Sequence, residues 1–109
     1  MRGEVWWAEV DGVQPVVLLS GDREREIQAI FVVEPARVDI EGVCVELPVG
    51  EDEGLAETGA VRVATPRQGA IACNWLVTLR QEDLVRRAGA LSPQKLQALA
   101  RMMKLAELE

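Results

Sequence analysis

The side chains of this sequence that could act on a ligand are mainly of two kinds, arginines and tryptophans. Arg23 and Arg25 lie in the polar run GDRERE, alternating with Glu24 and Glu26, while Arg37, Arg62, Arg67 and Arg80 stand singly. A guanidinium stays charged, and its fork matches the oxygens of a phosphate. Arginines set around a groove could therefore hold a nucleic-acid backbone or the charge that develops on phosphorus. For Arg23 and Arg25 the alternation with glutamates favours a screened surface network worth little. The single arginines read as solvated in the same way. Trp6 and Trp7 are neighbours, so on a strand they face opposite sides: one is expected in a core, and the other could stack a base or sit at a subunit seam. Trp75, after Asn74, fits a core or seam contact better than base stacking.

The absent chemistry narrows the field further. Histidine is missing altogether, which removes the commonest general base and the commonest zinc ligand. Cys44 and Cys73 lie far apart in apolar runs and are expected as buried free thiols. No Cys, His or carboxylate group has metal spacing, and no glycine-rich phosphate loop is present. The sequence therefore calls for no metal and no cofactor. The net charge of −6 counts against indiscriminate binding to a phosphate backbone, though not against a small local basic patch.

The elements that must position these residues are short strands followed by one helix. With 109 residues, the chain has room for a single domain, 1–109, with one modest core. No apolar run reaches the roughly 18–20 residues of a membrane helix, and the first residues read as a strand rather than a signal peptide. A cytoplasmic protein is expected. Strand patterns cover 4–10, 15–20, 27–33, 42–47, 61–64, 71–76 and 84–88. The Asp11-Gly12 pair is a hairpin turn signal, and the run PVVLLS is continuous enough for a strand buried on both faces. Val43, Val45 and Leu47 share one face of the fourth strand. The run 21–26 is an exposed loop, 48–57 is the longest loop, and residues 80–83 form a turn. Ser92 is a good N-cap with Pro93 at the first helical position. Leu96, Leu99, Ala100, Met103 and Ala106 then make one apolar helical face, widened by Met102 and Leu105. Short, closely spaced strands and one helix predict a mainly β fold, a small barrel or roll.

Three segments carry a family resemblance. RGEVWWAEV followed by QPVVLLS is similar to the first hairpin of the MazF/PemK toxins. FVVEPARVDIEGVCVELPVGEDEGL resembles their third and fourth strands with the acidic loop that follows. CNWLVTLRQEDLVRRAGALSPQKLQAL resembles their last strands and C-terminal helix. The resemblance spans nearly the whole chain, with residues 59–69 less typical. It implies a small SH3-like barrel of the MazF/CcdB type with a C-terminal α-helix. It further implies the toxin of a toxin–antitoxin pair, usually a homodimer, that cuts single-stranded RNA at a short sequence without metal. The expected partner is an antitoxin whose disordered acidic tail threads across the dimer groove.

The resemblance also places the chemistry. Metal-free cleavage uses the ribose 2′-OH as nucleophile, so something must take its proton, stabilise the phosphorane and protonate the leaving 5′-oxygen. In the family, an arginine just before the Pro-Val-Val strand and a threonine shortly after the proline that ends the third strand carry most of this. Here those positions hold Gln14 and Arg37, which become the candidate catalytic residues. Gln14 can donate a hydrogen bond but brings no charge. Losing a donor aimed at the developing charge costs about 2.7–4 kcal/mol, and Arg37 could restore a positive charge from the other side. Ser20, Arg23 and Arg25 are the candidate RNA contacts. The hairpin loop at 11–14, which gates the RNA groove in the family, is short. Two readings follow: an endoribonuclease toxin, or a catalytically inactive dimer of the same fold that binds an antitoxin or another protein.

Overall fold

The structure is a computed structural model, and it describes residues 2–20, 26–37, 44–64 and 76–106. Its strands are β1 (Glu4–Glu9), β2 (Val13–Ser20), β3 (Ile27–Phe31), β4 (Cys44–Val49), β5 (Gly59–Ala64), β6 (Leu76–Leu79) and β7 (Leu84–Ala90), followed by helix α1 (Pro93–Leu105). Five strands pair antiparallel in the order β6-β3-β2-β1-β7, and β4 and β5 form a separate antiparallel pair. A bridge between Val33 and Ala60 joins the two sheets. The fold is the mainly β, helix-ended architecture expected of the sequence.

Local chemistry accounts for the turns. Asp11 and Gly12, in the three-residue loop between Glu9 and Val13, have φ of 52° and 107°, the left-handed region that tight hairpins use and that Asp-Gly tolerates. Pro15 lies inside β2, between two partner strands, where a proline is costly. Its carbonyl accepts from the Val32 amide at 3.0 Å. The missing N–H faces the same side, at the point where β3 has ended. Pro48, expected to open the long loop, is instead part of β4 opposite Ala60. β4 is the edge of a two-stranded sheet, so a missing donor is tolerated there. The loop is thereby shortened and contains a 3₁₀ turn, Glu51–Glu53.

The five-stranded sheet buries both faces. Val5 and Val17 point to the face that also holds Ile30, Val49, Val61 and Leu99, so this core lies under β4, β5 and α1. Ala8, Val16, Leu18, Ile27, Ala29 and Leu79 form a second core on the opposite face. Residues 16–19 are all buried, as a continuous apolar run predicts. α1 begins as expected: the Ser92 hydroxyl accepts from the Lys95 amide at 3.2 Å with Pro93 in the first turn. Leu99, Met102, Met103 and Ala106 are buried, whereas Leu105 is 58% exposed. Leu105 thus does not widen the packed face; it falls past the edge of the stripe that β4 covers. Cys44 is half-buried rather than buried, with a free thiol, because it starts an edge strand. Cys73 lies outside the described residues.

Candidate functional site

The alternation of β1 separates its tryptophans. Trp6 packs toward the second core, and its indole N–H donates to Glu4 Oε1 at 3.0 Å. Trp7 packs against the first core and lies across from Pro15 of β2 on one side and Arg86 of β7 on the other. Trp7 and Pro15 line a cavity of about 350 Å³ together with Val33, Leu55, Glu34 and Glu57. Its charged lining residues are both carboxylates. Trp7 also borders a second groove, of about 380 Å³, shared with Val13, Val85 and Arg86. Val13 and Val85 are 53% and 58% exposed.

The wall containing Glu34 is fixed by the β4–β5 pair. Glu46 and Arg62 face each other across the two strands and form an ion pair at 3.2 Å, each side chain 16% exposed. Glu46 Oε1 also accepts from the Ala36 amide at 2.9 Å, and Arg62 Nη2 donates to the Glu34 carbonyl at 2.8 Å. Arg62 is therefore a fastener of the 34–36 segment rather than the solvated cation the sequence suggested. The cross-strand pairing that makes it so is a tertiary fact. The opposite wall comes from residues 55–59. There Gly59 sits so close to Val32 and to the carbonyls of Val33 and Val49 that a Cβ would press on them.

Among the described residues, none of the sequence-derived site residues lines this cavity, and the structure does not bring them together. Gln14 follows the short hairpin, opposite Ala8, and its amide nitrogen donates to the Val10 carbonyl at 2.6 Å. Its neighbour Pro15 lines the cavity, while Gln14 is on the alternate side of the strand. Arg37 stands at the rim, 86% exposed, its guanidinium 3.6 Å from the Glu34 carboxylate. Ser20 is exposed at the end of β2, opposite Gln28 and after a register shift. Arg23, Arg25, Arg67 and Trp75 lie outside the described residues. Arg80 is exposed and 4.0 Å from Glu82, the screened pair expected of it. Glu4 has its pKa held below the usual carboxylate value, chiefly by the Trp6 hydrogen bond, with the Arg87 charge adding to the effect against the burial that raises it. No three Cys, Asp or Glu side chains come together as a metal-holding group among the described residues.

Two residues escaped the sequence reading. Among the described residues, neither Arg86 nor Glu57 has a hydrogen-bond or ion-pair partner. Arg86 was hidden because only the pairing of β7 with β1 brings it beside Trp7. Glu57 was hidden because an acidic loop residue carries no periodic signal. The adjacent Arg86-Arg87 pair on a strand was the one available hint, since a strand must turn the two in opposite directions.

No helix among the described residues is long and apolar enough to cross a membrane. No family model matches the sequence. A curated protein, probable endoribonuclease MazF5 of Mycobacterium tuberculosis (strain ATCC 25618 / H37Rv), is 29% identical over 107 residues, covering 96% of this chain and 90% of the relative. Among solved structures, Mycobacterium tuberculosis toxin MazF-mt6 superposes with a TM-score of 0.69 at 21% identity, covering 95% of each chain. An endoribonuclease in complex with its cognate antitoxin, from Mycobacterial species, superposes with a TM-score of 0.64 at 16% identity, covering 98% of this chain and 91% of the other. This chain thus shares its fold with these solved structures and is similar in sequence, over nearly its whole length, to the curated relative.

Proposed function

We propose that this chain is the toxin of a toxin–antitoxin pair and cleaves single-stranded RNA, acting as a single-domain homodimer in the cytoplasm. The observation that carries this reading is the similarity to a probable endoribonuclease over 96% of the chain, in a fold shared with an endoribonuclease in complex with its cognate antitoxin. In the proposed reaction the ribose 2′-hydroxyl loses its proton to water as its oxygen bonds to phosphorus, the bond to the 5′-oxygen breaks, and that oxygen takes a proton from water. The products end in a 2′,3′-cyclic phosphate and a 5′-hydroxyl.

Arg37 is the proposed charge-stabilising residue. Its guanidinium is exposed and held only by a distant pairing with Glu34, which costs little to exchange for a phosphate. Gln14 is the proposed second catalytic position. Its amide bond to Val10 supports a role in holding the short hairpin beside the RNA rather than in carrying charge. Ser20, Arg23 and Arg25 are proposed to touch the RNA beyond the end of β2, and an antitoxin with an acidic tail is the proposed regulator. The carboxylates at the cavity favour the alternative, a binding module without cleavage, because they repel a phosphate that strays inward.

The test is incubation of the purified protein with a long single-stranded RNA in EDTA. Discrete fragments with 2′,3′-cyclic phosphate ends establish the nuclease, and Arg37→Ala should then lower the rate about a hundredfold to a thousandfold, the usual loss when a donor to the developing charge is removed. Intact RNA at high protein concentration refutes the nuclease and leaves the binding module. A variant that cuts as fast as the parent removes Arg37 from the mechanism.

A further inference from the structure

We propose that the cavity beside Trp7 receives one nucleobase and selects those that offer amino N–H donors, guanine first, while Arg86 holds the adjoining phosphate from the far side of the indole. The inference rests on the RNA-binding reading above and specifies what the site takes.

The two sides of Trp7 differ in character. On one side the cavity of about 350 Å³ is walled by Pro15, Val33 and Leu55, and its charged lining residues, among those described, are Glu34 and Glu57; the volume is within the roughly 300–1,000 Å³ of small-ligand sites. A phosphate is repelled from such a space. A flat heterocycle is suited to it, since it stacks on an indole and leaves its polar edge at the rim. On the other side, among the described residues, the groove of Val13 and Val85 is charged only by Arg86, whose guanidinium has no partner among them. A strand of RNA laid across β1 would thus meet an aromatic and acidic pocket for its base and a free cation for its backbone. Neither feature alone makes this distinction.

The rim chemistry sets the preference. A carboxylate only accepts hydrogen bonds. Glu57 lines the cavity, is exposed and has no partner among the described residues, whereas Glu34 already faces Arg37. Guanine presents N1–H and N2–H side by side, matching both oxygens of one carboxylate. Adenine and cytosine present one amino group each, and uracil presents a lone N3–H between two carbonyl oxygens that the carboxylate repels.

The experiment uses fluorescently labelled 2′-O-methyl tetranucleotides UUXU, which cannot be cleaved, with X each of the four bases and binding read by anisotropy. X = G should bind about tenfold more tightly than X = U, the discrimination one good bidentate contact gives, with A and C between. Glu57→Gln should bring the four within about twofold, because an amide both donates and accepts. Arg86→Ala should weaken all four alike and reduce the salt slope by about one. Both variants should keep the parental thermal midpoint, which separates lost binding from lost folding. Equal binding of the four bases, or a Glu57→Gln variant that keeps the ranking, overturns the base-selection inference alone. Arg86→Ala that leaves affinity and salt slope unchanged overturns the phosphate assignment. Failure of the parent protein to bind any of the four overturns the RNA-binding reading as well.

Discussion

β7 runs from an open end to a clamped one. At its start Val85 is 58% exposed, and Arg86 lies beside Trp7 with no partner among the described residues. At its finish the turn Glu51–Glu53 lies across the strand so closely that a Cβ on Gly54 would collide with the Ala88 carbonyl, and one on Gly89 with the Glu53 carbonyl. Glu53, 2% exposed, is the buried charged residue of the described core. Its Oε1 accepts from the Gly50 amide at 2.7 Å, and its Oε2 accepts from Lys95 of α1 at 2.8 Å. The buried charge at the clamped end, Glu53, is paired and ties the turn to the helix. Charge at the open end is unpaired and half-surrounds an apolar surface. The difference teaches where this fold can spend its polar groups on a ligand: away from the helix, where no structural bond is lost by binding.

Substitutions at the two ends should therefore part company. Gly54→Ala should be the most damaging, because φ at 54 is +88° and the Ala88 backbone cannot yield to the new Cβ. A cost of about 2–5 kcal/mol is expected from left-handed strain plus overpacking, measured by urea unfolding. Lys95→Met should cost about 3 kcal/mol, since it strands a buried carboxylate. Glu53→Gln should cost less, because Lys95 is 25% exposed and can turn to water. Equal losses from the two would show that the pair is not buried as described.

At the open end, Arg37→Ala and Arg86→Ala should change stability by less than about 0.5 kcal/mol, as exposed substitutions away from structural bonds do. A larger loss would mean these arginines support the fold and are not held free for a ligand. The smallest effect is acid dependence at Glu4. Its folded pKa lies below the ordinary carboxylate value of 4.5, so its contribution is complete above that value and is lost as pH falls through the folded pKa. Glu4→Gln should thus narrow the gap to the parent as pH drops below 4.5, in thermal unfolding from pH 6 to pH 3. A constant gap across that range would contradict the shift.

Most of the architecture was legible because it follows from near neighbours. Asp11-Gly12, the run at 16–19 and the Ser92-Pro93 helix start each act within a few residues, and each appears where its chemistry puts it. Strand ends were less legible. Pro48 reads as a stop, yet a proline on an outer strand forfeits no bond there, so β4 runs on to Val49.

The candidate site was less legible still, since its walls come from β1, β2, the segment after β3 and the start of β5. From the sequence alone come the antiparallel strands, the opposed faces of Trp6 and Trp7, and the capped helix, all set by a period of two or 3.6 residues and by local hydrogen bonding. Only the tertiary structure decided that Arg62 would be tied to Glu46, that Arg86 would be left free, and that Trp7 would stand between an acidic pocket and a cationic groove. The physical reason is that a charge takes its role from the groups across the strand from it. Those groups are chosen by sheet register, which joins residues tens of positions apart.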